Sequence, residues 1–223
     1  QISTSIESDD IDLGLAGGVE DMFGVPMGGG WPSFNERLSE QEFYIGMGET
    51  AENLAQELSI TRDDQESFAI QSHKKALKAQ SEGKFDNEIT PILVNGVSVT
   101  NDEGPRKPDI EKIKSLNPSF DVNGTITPAT SSPISIGASM IAISSESKAK
   151  EMDVKPRFRI LGRAIAGVDW KIMGSGPLPA TEKVLKKCGM TMNDIDAIEL
   201  NEAFAAQSLY VISKGGWDES KIN

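Results

Sequence analysis

Apolar positions fall at helical spacing in some stretches of the chain and bunch into short runs in others. Ile2 to Ser8 reads as the end of a helix. Asp12 to Ala16 reads as a buried strand leading into Gly17 and Gly18, a pair that permits tight turns and close backbone approach. Phe23 to Asn35, rich in glycine and proline, reads as loop. Ala51, Leu54, Ala55 and Leu58 share one face of a helix from Thr50 to Leu58. Thr61 then caps the clearest helix of the chain. Asp63, Asp64 and Glu66 load its first turns with acid, and Lys74, Lys75 and Lys78 load its last, as the helix dipole favours. Phe68, Ala69, Ala76 and Leu77 form its apolar face, and the charged remainder reads as a solvated surface.

Ile89 to Val94 and Val97 to Thr100 look extended around Asn95-Gly96, a strong two-residue hairpin signal. A charged, proline-containing loop from Asp102 to Pro108 leads to a short helix, Ile110 to Leu116. Gly124 to Pro133 has no helical period and reads as a connector. Ala138 to Ile143 reads as a strand and Ser145 to Met152 as a helix. Arg157 to Val168 reads as extended, with Gly162 and Gly167 marking bends. Met173 to Pro179 reads as loop, and Ala180 to Lys187 as a helix closed by Cys188-Gly189. Alternation of strand and helix in the last third implies an α/β architecture with layers on a sheet.

Composition narrows the function. The 223 residues suffice for one large domain or two small ones. A net charge of −12 argues against nucleic acid or an anionic membrane as partner, while leaving room for a local basic patch. No apolar run approaches the roughly 20 residues that span a bilayer. One cysteine excludes an internal disulfide framework and any cysteine-rich metal site, and no metal is expected.

The segment with most chemical content is Asn201 to Gln207, Asn-Glu-Ala-Phe-Ala-Ala-Gln. It follows the apolar run Ile195 to Leu200, read as a short strand, and opens a helix that stops at Gly215-Gly216. Polar residues at the C-terminal end of a strand stand where α/β sheets place their ligands. An asparagine there can donate and accept, and so can hold a water or a substrate carbonyl. On residue chemistry alone, Asn201 reads equally as an N-cap and Glu202 as an acid favoured by the helix dipole.

This segment resembles the Asn-Glu-Ala-Phe motif of the thiolase family, enzymes that cleave 3-oxoacyl-CoA or condense two acyl-CoA thioesters. Ala16 to Met22, Met47 to Asn53, Gly124 to Ser132 and Met173 to Pro179 also resemble thiolase segments, in thiolase order. The resemblance covers essentially the whole chain. It implies a thiolase-like layered α/β fold of two similar mixed-sheet halves with helices, the first carrying an inserted loop domain that binds CoA. Residues 1–24 would close the N-terminal half and residues 25–133 form the loop domain. Residues 134–151 would return to the first half, and 152–223 begin the C-terminal half. A full subunit of this family would begin before Gln1 and continue past Asn223.

The resemblance also implies roles. Asn201 matches the asparagine that holds a water, which together with a histidine forms an oxyanion hole. Ser132 matches the serine on the pantetheine arm of coenzyme A. Met47, Met173 and Phe204 match residues around the acyl pocket, although each also fits a plain core role. Phe120 matches a loop-domain aromatic beside the cofactor. Arg106 is a candidate contact to a coenzyme A phosphate, where a guanidinium suits the geometry, although it reads more simply as an exposed arginine. Thiolysis further needs a cysteine nucleophile, a Gly-His-Pro histidine to activate it and a second cysteine to move the substrate proton. Cys188, before a C-capping glycine, and His73, among lysines on the surface helix, match none of these. The nucleophile is expected before Gln1 and the other two beyond Asn223, which leaves this stretch inactive by itself.

Departures from the family pattern bear on subtype. Ser135-Ile136-Gly137-Ala138 stands where Asn-Asp-Gly-Ala is frequent, and Pro128 and Pro133 remove backbone donors around Ser132. Gly46 replaces a histidine common in biosynthetic thiolases, and Trp31 to Phe43 is short for a tetramerisation loop. Gly46, the short Trp31 to Phe43 stretch and Ala129 to Ser132 favour a degradative 3-ketoacyl-CoA thiolase of fatty-acid β-oxidation. The loss of the aspartate at Ile136 instead motivates a reading without turnover and, with the two prolines, bears on the pantetheine contact. CoA and acyl-CoA are then substrates, with no permanently bound cofactor. A homodimer is expected, with a tetramer or a multienzyme β-oxidation complex as alternatives. The location would be cytoplasmic in a prokaryote and mitochondrial or peroxisomal in a eukaryote. The alternatives in function are an acetoacetyl-CoA thiolase, or a thiolase-like protein that binds acyl-CoA or lipid without turnover.

Overall fold

The computed structural model describes residues 1–25 and 33–223. Residues 26–32, part of the glycine-rich stretch and the start of the Trp31 to Phe43 segment, lie outside the described residues. The chain divides into two compact units, one of residues 1–33 and 134–164, the other of 34–133 and 165–223.

In the first unit, β1 (Leu13–Asp21) pairs antiparallel with β4 (Ile136–Ser144), from Leu13 opposite Ser144 to Asp21 opposite Ile136. Helix α1 (Ile2–Glu7) precedes β1, and α6 (Glu146–Glu151) follows β4. Ser145 caps α6 by accepting the Lys148 N–H, and its own N–H donates to Asp12 O, tying the strand ends together. Arg163 grips the Glu7 carboxylate with two bonds, at 2.8 and 2.7 Å. The expected strand at Asp12 to Ala16 exists but is not buried: Leu15 is 63% exposed and Val19 80%. A lone pair of strands has too few neighbours to cover its faces. Ile136 opens β4.

The second unit is built on helices α3 (Met47–Glu57), α4 (Arg62–Ser81), α7 (Pro177–Cys188) and α8 (Ala205–Gly215). Short helices α2 (Glu36–Glu40) and α5 (Ile110–Lys114) and a hairpin of β2 (Ile92–Val94) and β3 (Val97–Val99) complete it. Asn95 and Gly96 both take positive φ in that hairpin turn, as its two-residue length requires. Leu54, Tyr210, Val211, Ile212, Trp217 and Ile222 form the main core, and Ala51, Ala55, Ile126 and Ala206 a second cluster. Gly216 ends α8 in the left-handed conformation, and the Trp217 N–H returns to Ile212 O, folding Trp217 into the core.

Helix α4 begins as its sequence predicts. The Thr61 Oγ1 accepts the Asp64 N–H, and the Asp64 carboxylate accepts from the Thr61 hydroxyl first and the Thr61 N–H second, which together hold the Asp64 carboxyl below its usual range. Its buried positions, however, are Gln65 and Glu66, while Phe68, Ala69, Ala76 and Leu77 are half-buried. Glu66 is paired with Arg62, whose guanidinium also donates to the carbonyls of Ile113, Lys114 and Leu116 at the end of α5.

Three sequence expectations are revised in this unit. Met173 to Pro179 is not loop: a 3-10 turn spans Trp170–Ser175, and α7 starts at Pro177, where a missing N–H costs nothing. Ile195 to Leu200 forms no full strand. It is extended and meets only Lys221 to Asn223, through one parallel bridge between Ile198 and Ile222. Helix α8 begins at Ala205, four residues later than expected.

Candidate functional site

The late start of α8 has a local cause. The Ser132 N–H donates to Ala203 O, and the Ala205 N–H to Thr130 O, each at 2.9 Å. Ser131 and Phe204 are thereby paired antiparallel, and Phe204, not Asn201, becomes the N-cap residue, with extended φ and ψ of −143° and 142°. A helix beginning at Asn201 would consume the same backbone groups. The simple capping role for Asn201 is therefore excluded. Its amide is exposed and makes no hydrogen bond to another described residue.

The same pairing places Ser132 beside the Asn201 segment. Asn201, Glu202, Ser131, Ser132, His73 and Lys75 line one cleft of about 670 Å³. The Glu202 carboxylate accepts from Ser72 Oγ, and Lys75 Nζ donates to Ile222 O at 2.9 Å, so α4 forms one wall. The loop opposite is braced from within. The Thr127 N–H donates to Thr130 Oγ1 at 3.0 Å, and Ser131 Oγ to Thr127 O at 2.8 Å. Pro128 and Pro133 leave these donors intact.

Phe120 and Phe204 also meet, edge to face, with centroids 5.8 Å apart and planes at 83°. Phe204 packs against the Ala51, Ala55, Ile126 and Ala206 cluster. Phe120 lies over Gly48, where an added Cβ would overlap the ring. It borders a second cleft of about 790 Å³ with Phe34, Tyr44, Glu49, Glu52 and Lys171. The remaining candidates stand apart from Asn201. Met47 and Met173 are 56% and 44% exposed and line neither cleft. Arg106 is exposed on its loop, and its N–H donates to His73 Nδ1 at 3.3 Å. Burial first, and the Arg106 charge second, hold His73 below the usual histidine value, against an opposing pull from Glu202.

The sequence reading missed Glu52. Its carboxylate is 4% exposed and accepts from the Thr125 and Ile126 N–H groups, both at 2.9 Å, and from Thr125 Oγ1 at 3.1 Å. Gln65 Nε2 donates to the same Thr125 hydroxyl at 2.8 Å. These bonds pin the loop that runs from Phe120 to Ser132. A signal was present: Gly48, Glu52 and Ala55 stand at i, i+4 and i+7, one stripe of the helix. An acid on a buried stripe calls for donors.

Residues 1–147 match the family model described as "Thiolase, N-terminal domain", and residues 154–223 "Thiolase, C-terminal domain". A 3-ketoacyl-CoA thiolase of Idiomarina loihiensis is 45% identical over 220 residues, covering 93% of this chain and 56% of the relative. The dimeric peroxisomal thiolase of Saccharomyces cerevisiae superimposes with a TM-score of 0.87 at 39% identity, over 99% of this chain and 58% of that one. Human mitochondrial 3-ketoacyl-CoA thiolase, solved in complex with CoA, gives 0.87 at 33% identity, over 98% and 59%. The chain thus spans less than two thirds of the length of each. No helix among the described residues is long and apolar enough to cross a membrane.

Proposed function

The chain belongs to the thiolase family, and from that premise we propose that the full-length protein is an acyl-CoA acyltransferase of fatty-acid β-oxidation. It cleaves 3-oxoacyl-CoA with CoA to acetyl-CoA and a shortened acyl-CoA. A cysteine thiolate attacks the 3-oxo carbonyl, the C2–C3 bond breaks, and the second cysteine protonates the departing acetyl-CoA enolate. A second CoA, giving up its thiol proton to that cysteine, then attacks the acyl-cysteine, takes the acyl group and frees the first cysteine as thiolate. Charge accumulates on the thioester oxygen of the departing acetyl-CoA unit, and a preorganised donor there lowers the barrier. Asn201 holds the water that supplies one such donor. Ser132 contacts the pantetheine arm, and Phe120 and Arg106 meet the cofactor nearer the loop-domain surface. Met47, Met173 and Phe204 surround the acyl chain.

The observation that carries this reading is the pairing of Thr130–Ser132 with Ala203–Ala205, which leaves the Asn201 amide without a hydrogen bond to another described residue and sets Ser132 in the same cleft. Cys188, the one cysteine of residues 1–223, ends α7 and does not line that cleft. The nucleophile and its activating histidine are assigned to the part of the relatives' length that residues 1–223 do not cover. The division into residues 1–24, 25–133, 134–151 and 152–223 belongs to the same proposal. So does a homodimer, in line with the dimeric yeast neighbour. The compartment follows the host: cytoplasm in a prokaryote, mitochondrion or peroxisome in a eukaryote.

The test is thiolysis by the full-length protein of acetoacetyl-CoA and of longer 3-oxoacyl-CoA substrates. Turnover of the longer substrates is expected. Turnover confined to acetoacetyl-CoA would reassign the protein to the short-chain thiolases. CoA binding without any turnover would make it a non-catalytic acyl-CoA-binding protein.

A further inference from the structure

Two side chains of α4 reach across to the backbone of the loop that carries Arg106. His73 Nδ1 accepts the Arg106 N–H at 3.3 Å, and Gln80 Nε2 donates to Asp102 O at 3.0 Å. An acceptor at Nδ1 requires neutral imidazole with its proton on Nε2. Half-buried His73 feels the charges of Arg106 from the loop and Glu202 from the segment before α8, and Glu199 and Lys75 line the same cleft. Protonation would turn the acceptor into a donor aimed at an N–H group and add a positive charge beside the guanidinium.

We propose that His73, in its neutral form, is a positioning residue that holds the Arg106 loop in place for a phosphate of coenzyme A. This rests on the reading of Arg106 as a phosphate contact given above. His73 itself touches no substrate. It acts through the loop backbone, fixing the point from which the Arg106 side chain extends.

The direction of the pH effect follows from the folded-state pKa, which lies below the ordinary histidine value. The hold is complete above that ordinary value and is lost as pH falls through the folded pKa. A phosphate monoester also titrates near pH 6, so wild type needs a baseline that keeps the loop contact and cannot titrate. His73→Asn supplies one, because its carbonyl oxygen can accept the same N–H.

The experiment measures CoA affinity of the full-length protein between about pH 5 and 8 for wild type, H73A, H73N and R106A, with hydrogen exchange at the Arg106 amide compared at matched pH. H73A should bind CoA roughly three- to tenfold more weakly at pH 7.5, the worth of one hydrogen bond, with faster Arg106 exchange. H73N should stay within about twofold of wild type there and show a shallower loss of affinity on acidification. Weakened binding in R106A with wild-type affinity and Arg106 protection in H73A would overturn the His73 role alone. Wild-type affinity in R106A would instead sink the phosphate contact, and with it the reading on which the role rests. An H73N pH profile parallel to wild type would show that His73 titration plays no part.

Discussion

Removing the Glu52 carboxylate should unpin the loop that presents both Phe120 and Ser132. In Glu52→Ala, the Ile126 N–H loses its acceptor at a residue that is 0% exposed, and the Thr125 N–H and hydroxyl lose theirs. A buried donor left unpaired costs about 1–3 kcal/mol, and returning the carboxylate's own desolvation offsets part of the sum. The net expected loss is about 3–5 kcal/mol, large against the total stability of a domain. Glu52→Gln keeps the volume and one oxygen for the two N–H groups. Its amide nitrogen can donate to the Thr125 hydroxyl, which already accepts from Gln65. That variant forfeits mainly charge assistance, about 1–2 kcal/mol. The assay is urea unfolding of the protein, followed by tryptophan fluorescence in a background with Trp31 replaced so that Trp170 and Trp217 report, with hydrogen exchange at Thr125 and Ile126 as the local readout. Glu52→Ala within about 1 kcal/mol of wild type would refute the reasoning. So would a Glu52→Gln variant as unstable as the alanine, since the hydrogen bonds could not then be what matters.

Two further perturbations probe the same unit. Gly48→Ala would ordinarily stabilise a helix interior by about 0.5–1 kcal/mol, but its Cβ overlaps the Phe120 ring. A net loss of about 1–3 kcal/mol is expected in urea melts, with the Phe120–Phe204 contact displaced; a gain in stability would show that the ring does not depend on this gap. The Glu57 carboxylate accepts from Tyr210 Oη at 2.8 Å and pairs with Lys214 at 3.2 Å, and these hydrogen bonds, Tyr210 first, hold it below its usual range. That contribution is present above the unfolded carboxylate value and fades as pH falls through the lowered one. Glu57→Gln should flatten the acid limb of a plot of Tm against pH, and an unchanged limb would contradict the pairing.

Local chemistry written in contiguous residues was legible in the sequence. Thr61 and Asp64 build the start of α4, Asn95-Gly96 the hairpin, Gly189 and Gly216 the left-handed ends of α7 and α8. Each is decided by neighbours a few positions away. What the residues alone left open depends on distant partners. The start of α8 is set by the backbone of Thr130 and Ser132, far back in the chain, and no helical signal in Asn201 to Ala206 could reveal it. The burial of Glu52 depends on the backbone of Thr125 and Ile126. Burial of β1 is not met within residues 1–223, because it needs a second layer that these residues do not supply, and apolar composition does not say where that layer is. Motif order paired Asn201 with Ser132, and the structure lines one cleft with both; the role of each there belongs to the proposal.

The central claim is that Asn201 is an oxyanion-stabilising residue and not a helix cap. It is tested most directly by steady-state thiolysis of 3-oxoacyl-CoA in the full-length protein carrying Asn201→Ala, beside a urea melt of the same variant. The account predicts kcat lower by about two to three orders of magnitude with little change in KM and with stability near wild type, because Asn201 caps nothing. A kcat within a few fold of wild type, or an activity loss matched by unfolding, would contradict it.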